Sequence, residues 1–177
     1  MTALSPNQFA ELDDIGSVVL KDSIDADFLA ELRRQTEEQF EAEGDQAGGE
    51  FKQEEGCRRL ANLVDKGEIF QRVIAEPRTL EAVTRVLGAD FKLSSLNARS
   101  VNPCAAVTQP LHADMAAIAD ERGYWVCNVI WMLDDLTPEN GAPRIVPASH
   151  KFGRLPQDAL QDPLAPHSDE ILVTGKA

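Results

Sequence analysis

The chain has 177 residues, 43% hydrophobic and 27% charged, with a formal net charge of −13. That length supports one domain with its own core. Its basic residues are scattered, and the pairs Arg33-Arg34 and Arg58-Arg59 are the longest basic runs, which argues against a nucleic-acid binder resting on phosphate neutralisation and against docking on an anionic membrane surface.

In chain order, Ser5-Pro6 followed by residues 7–12 predicts a short capped helix with proline in its first turn. The β-branched run 15–20 (IGSVVL) predicts a strand. Asp25 can cap a second helix in which Phe28, Leu29, Leu32, Thr36 and Phe40 recur near a 3.6-residue period, and Gly44 ends it. Residues 44–56 (GDQAGGEFKQEEG) are polar and glycine-rich, a mobile loop. Residues 60–87 return to a helical pattern, broken at Glu76-Pro77 because the residue before proline is pushed out of the helical region, and Gly88 closes it. Beyond that point strands dominate. Residues 91–101 alternate apolar and polar positions, 124–133 (YWVCNVIWML) is a core strand or a buried helix with its β-branched and aromatic residues favouring strand, and Ile145-Val146 and 171–174 are short strands. Asn140-Gly141 suits the turn of a hairpin between 124–133 and the Ile145 strand, with 147–150 as a rigid exit. Helices first and strands later, without a βαβ rhythm, make an α+β chain.

Cys57, Cys104 and Cys127 are widely spaced without a CxxC pair, so they read as reduced thiols rather than a disulfide framework or zinc knuckle. With no secretory pattern at the start and no apolar run near the ~20 residues of a membrane span, the expectation is a soluble cytoplasmic protein.

The chemistry centres on His112-Ala113-Asp114. In an extended segment, side chains two apart share a face, so an imidazole nitrogen and a carboxylate oxygen can converge on one metal ion. Two histidines and one carboxylate around open positions are the pattern of non-haem iron(II) oxygenases. Alone, His-x-Asp is weak, because a surface or core role is the commoner fate of such a pair. Gln109 leads into it, and Trp131, Asp135, Asn140, Gly141, Pro147, Ser149 and His150 follow in order.

Those residues resemble the phytanoyl-CoA dioxygenase-like oxygenases, whose pattern runs Q-x-x-H-x-D, a tryptophan-containing strand, then D-x-x-x-x-N-G-x-x-x-x-x-P-x-S-H. The likeness is strongest over 91–155. It implies a double-stranded β-helix, the cupin-like jelly roll, as a single domain over 1–177 that is mainly helical over 1–90, carries the first strands over 91–177 and is incomplete at its C-terminal end. It implies iron(II) held by His112 and Asp114, 2-oxoglutarate as co-substrate, and Gln109 and Trp131 facing the 2-oxoglutarate or substrate pocket, with a loop hydrogen bond or plain core packing as their alternatives. Carboxylate rather than a small residue at Asp114 implies hydroxylation of a small organic substrate rather than halogenation.

The family's second histidine ligand and its 2-oxoglutarate-binding arginine have no counterpart here. His150 falls in the P-x-S-H segment, whose histidine is not a ligand, and His167 lies in an early proline-rich loop. The expectation is therefore a partial copy of a longer enzyme, with a chain that binds iron weakly and turns over little. An open sheet edge and the uncovered apolar run 124–133 would favour association or poor solubility. The alternative is a non-catalytic cupin-like module binding a small molecule or a partner. Arg99 and Arg144 are candidates for anion binding, with structural salt bridges the stronger reading. Asp134 and Asp135 are adjacent, point to opposite faces and read as turn residues.

Overall fold

The computed structural model describes residues 3–103 and 108–177, so Cys104 lies outside the described residues. In chain order the elements are α1 (Pro6–Ile15), α2 (Ala26–Glu43), β1 (Cys57–Leu60), α3 (Glu68–Ile74), α4 (Pro77–Leu87), β2 (Ala98–Val101), β3 (Arg144–Ile145), α5 (Pro156–Ala159) and β4 (Ile171–Leu172). Among the described residues the fold is α+β with two antiparallel two-stranded sheets, β1–β2 and β3–β4. No helix among the described residues is long and apolar enough to cross a membrane.

The residues group into two compact units. One draws on the described residues of Asp22–Glu76 and Lys92–Val107. Here Asp25 caps α2 by accepting from the Phe28 amide at 2.7 Å, and the helix buries Leu32, Thr36 and Phe40, the apolar stripe its period requires. Leu60 and Phe70 are the largest fully buried side chains. The helix expected over 60–87 is corrected. Leu60 ends β1, a 3-10 turn spans Leu63–Lys66, and only Glu68–Ile74 and Pro77–Leu87 are α-helical. The cause is long-range, because Cys57–Leu60 pair antiparallel with Ala98–Val101 and this ladder overrides local helix preference. The break at Glu76-Pro77 is where the sequence put it. The strand expected over 91–101 shortens to Ala98–Val101.

In the glycine-rich segment, Gln53 Nε2 donates to the Asp45 carbonyl at 2.9 Å. A side chain at Gly48, where φ is +79°, would meet the Lys52 carbonyl at 2.7 Å and Arg59 Cβ at 2.9 Å. Beside it, Glu54 bridges Arg59 at 2.6 Å and Arg99 at 2.7 Å, with its own side chain only 12% exposed. Arg99 is thus a structural ion-pair partner, as the sequence favoured.

The other unit draws on the described residues of Met1–Lys21, Pro77–Phe91 and Thr108–Ala177. Ser5 and Gln8 form a reciprocal capping box at the start of α1, and Arg85 on α4 grips Asp13 on α1 at 3.0 and 2.5 Å. The guanidinium holds the Asp13 carboxyl below the usual carboxylate range. Residues 17–20 are half-buried but join no sheet among the described residues, so the strand expected over 15–20 is corrected. Ile15 is the last residue of α1, and Gly16 turns the chain at φ +87°.

The P-x-S-H segment closes on that helix end. Ala148 donates its amide to the Ile15 carbonyl at 2.7 Å, and His150 Nε2 lies 3.2 Å from the Asp13 carbonyl. These bonds satisfy carbonyls that a helix C-terminus otherwise leaves unpaired. The approach is close enough that a side chain at Gly16 would sit 2.3 Å from His150 Nδ1.

The hairpin expected between 124–133 and the Ile145 strand is also corrected. Residues 124–133 form no strand, and Trp125 and Ile130 are 51% and 65% exposed. β3 pairs instead with β4, and Leu136 bridges Gly175. An apolar run becomes a strand only where a ladder partner meets it, and here the partner of β3 comes from 171–172. The turn itself forms as read: Asn140 Oδ1 accepts from the Thr137 amide at 2.7 Å, its Nδ2 donates to the Asp135 carbonyl at 2.6 Å, and Gly141 has φ +91°. Asp135 also accepts from the Ala177 amide at 3.0 Å, a turn-and-edge role. The described residues form two small sheets and do not show the double-stranded β-helix that the resemblance implies.

Two stability tests follow. Gly16→Ala places a side chain in left-handed backbone, costing about 1–2 kcal/mol, and drives it into the His150 ring. Urea unfolding should show a loss of about 2 kcal/mol or more, and His150→Ala in the same chain should restore part of it. No recovery would disprove the close approach as the cause. In the other unit, hydrogen bonds from Arg99, opposed by burial and reinforced by Arg59, hold the Glu54 carboxyl at about 2 against an ordinary 4.5. A lowered carboxylate stabilises fully above its unfolded value and loses that contribution as pH falls towards the folded one. Glu54→Gln should therefore cost about 2 kcal/mol at neutral pH, with the gap from wild type shrinking in unfolding curves as pH falls from 4.5 towards 2.

Candidate metal centre

The segment before the His-x-Asp pair is held from both sides. Leu111 donates its amide to the Pro163 carbonyl at 2.8 Å, and Arg144 Nη2 donates to the Gln109 carbonyl at 3.1 Å. Arg144 also pairs with Glu170 at 3.2 Å, so this guanidinium is structural, the stronger of its two sequence readings. His112 Nδ1 lies 2.8 Å from the Pro110 carbonyl. A proton on Nδ1 makes that contact a hydrogen bond and leaves Nε2 with a free lone pair, the tautomer a metal-binding imidazole needs.

Ala113 is extended, at φ −99° and ψ 128°, which brings the His112 and Asp114 side chains to one side. His112 Nε2 stands 3.4 Å from Asp114 Oδ1. Asp114 Oδ2 accepts from Asn128 Nδ2 at 2.8 Å, which orients the carboxylate and leaves Oδ1 facing the imidazole. Met115 and Ala116 then take left-handed backbone at φ 55° and 51°. Two successive non-glycine residues in that region are strained, and such strain collects at functional sites.

His112 and Asp114 line a cavity of about 370 Å³ whose wall includes Leu111, Ile118, Trp125, Val126, Asn128 and Phe152. Sequence reasoning thus brings its two proposed ligands together at one cavity. Gln109 and Trp131 are not on that wall. Gln109 is exposed and contributes its backbone carbonyl to Arg144, and Trp131 is half-buried elsewhere. Trp125 is the tryptophan on the wall. Asn128 was missed: it is exposed, and its partner Asp114 lies fourteen residues earlier in the chain.

An imidazole nitrogen beside a carboxylate oxygen suits a borderline divalent cation such as iron(II). Nitrogen and carboxylate ligands bind at about 2.0–2.2 Å, so neighbouring ligands lie about 3 Å apart and the observed separation needs little closure. His150 and His167 also line the cavity. Among the described residues, however, no group of three His, Cys, Asp or Glu side chains is placed to hold one ion. His167 serves its own turn, with Nδ1 accepting from the Asp169 amide at 3.1 Å. The residues present therefore fit two positions of an iron site.

Among curated proteins, the chain is similar to Dioxygenase af480 of Aspergillus fumigatus, 29% identical over 96 residues. That match covers 53% of this chain and 31% of the fungal protein, so the chain spans about a third of the length of the relative it matches. No solved structure matches. The family model for phytanoyl-CoA dioxygenase (PhyH) matches residues 12–170, from α1 through the cavity to the edge of β4. The chain belongs to the phytanoyl-CoA dioxygenase family.

Proposed function

We propose that the protein acts as an iron(II)- and 2-oxoglutarate-dependent dioxygenase that hydroxylates a small organic substrate. The observation that carries the reading is the convergence of His112 Nε2 and Asp114 Oδ1 at 3.4 Å, each with its remaining polar atom already engaged by Pro110 or Asn128. Family membership and the fungal dioxygenase support the oxygenase class. The cupin-like fold typical of the family makes β3 and β4 candidates for strands of a double-stranded β-helix.

His112 and Asp114 would hold the metal. Iron bound there with 2-oxoglutarate supplies the activation of O2 and the oxidation of a C–H bond. The chain's own residues do the positioning. Pro110 fixes the imidazole tautomer, Asn128 turns the carboxylate, and Leu111, Ile118, Val126 and Phe152 supply an apolar wall that limits water around the substrate. A carboxylate at Asp114 occupies the position that a halogenating member leaves to chloride, which favours hydroxylation.

A second reading rests on the absence of a three-group cluster among the described residues. In it, the chain is a cupin-like module that binds a small molecule without turning it over. Mn(II), followed by the loss of the free-ion electron paramagnetic resonance signal, separates the two. The oxygenase reading expects weak binding that Asp114→Ala and His112→Ala abolish. Asn128→Ala should weaken it by about tenfold or more, the usual effect of losing a residue that orients a ligand. Binding that survives Asp114→Ala would sink the oxygenase reading and promote the module.

A further inference from the structure

The cavity wall carries little of the acidity of the protein around it. The chain as a whole bears a net charge of −13, yet the wall carries two guanidiniums, Arg144 and Arg154, and a single carboxylate, Asp114. Asp114 is engaged by the Asn128 amide on one oxygen and turns the other towards His112. Arg144 is neutralised by Glu170, and Arg122, stacked over the Trp125 ring at 4.3 Å, is neutralised by Asp120 at 3.0 Å.

Arg154 differs from both. Its side chain is exposed and makes no ion pair or hydrogen bond among the described residues. Of the three guanidiniums at or beside the cavity, it alone has no acidic partner among the described residues, and it lines the wall. Around it the surface is apolar, with Phe152, Leu160 and Pro156 on the same wall.

We propose that the cavity binds a small organic acid, with Arg154 taking its carboxylate and the apolar wall taking its hydrocarbon body. A guanidinium offers two parallel donors that match a carboxylate, and one unneutralised cation matches one negative charge. An apolar pocket with a few placed polar groups is the usual form of a small-molecule site. The inference names a substrate class for the oxygenase reading and rests on that reading for its catalytic meaning, but its readout needs no metal.

The test uses octanoate and octanamide as probes on the 177-residue chain, followed by calorimetry and by tryptophan fluorescence, to which Trp125 on the wall contributes. Octanoate should bind more tightly than octanamide. Arg154→Gln should weaken octanoate by about tenfold or more, the worth of a lost charge-assisted pair, and leave octanamide unchanged. Arg154→Lys should recover part of the octanoate affinity. Equal binding of the two probes, no octanoate binding, or no effect of Arg154→Gln would each overturn the proposal. A second arm titrates 2-oxoglutarate in the presence of Mn(II). If Arg154→Gln weakens 2-oxoglutarate and spares octanoate, the guanidinium serves the co-substrate and the proposal falls. Arg154-dependent octanoate binding by a chain that fails to bind Mn(II) would sustain the acid site while removing the oxygenase reading.

Discussion

Arg144 is the interaction on which the candidate site depends. One guanidinium nitrogen donates to the Gln109 carbonyl, two residues after which the chain has to be extended into His112, and another pairs with Glu170 just before β4. Since Arg144 itself begins β3, a single side chain fixes three separate stretches of backbone. Its side chain is only 18% exposed, so the pair is better shielded from solvent than a surface ion pair, whose worth is typically small. Remove the charge and the Gln109 carbonyl and the Glu170 carboxylate both lose a donor, in a region where few apolar side chains are buried to compensate.

That last point separates the two units. Around Leu60 and Phe70, apolar burial and the bridging carboxylate of Glu54 stabilise the structure together. In the unit with the His-x-Asp pair, backbone and side-chain hydrogen bonds carry more of the organisation. The clasp of Ala148 and His150 on the last carbonyls of α1, the Asn140 turn and the Leu136–Gly175 bridge are all polar. Tyr124, Trp125, Val129 and Ile130 meanwhile stay substantially exposed.

The same division explains what was legible in the sequence. Helices α1 and α2 could be read because their signals are local: Ser5 with Pro6, Asp25 ahead of an apolar period, and Gly44 after the last turn of α2. Residues 57–60 and 124–133 could not, because their fate depends on whether a strand arrives from far along the chain. One acquired a partner in 98–101 and the other did not join a ladder. At the site, His112 and Asp114 were legible from a spacing of two. Asn128 was not, since nothing in its own neighbourhood says that it will meet Asp114 from fourteen residues away. Gly16 was likewise silent, being fixed by the approach of His150 from 134 positions further along the chain.

The backbone after Asp114 shows which demand wins where stability and geometry conflict. Met115 and Ala116 both sit in left-handed conformation, at a cost of about 1–2 kcal/mol each for residues with a side chain. Glycine at either position would relieve most of that cost. Met115 is 78% exposed, so burial of its side chain does not offset the strain. What the conformation does provide is a sharp change of direction immediately after the carboxylate, and Asp114 is thereby left where Asn128 and His112 can both reach it. Strain that aims one carboxylate, beside an imidazole whose other nitrogen is already engaged, is the organisation that the proposed metal-binding pair would use.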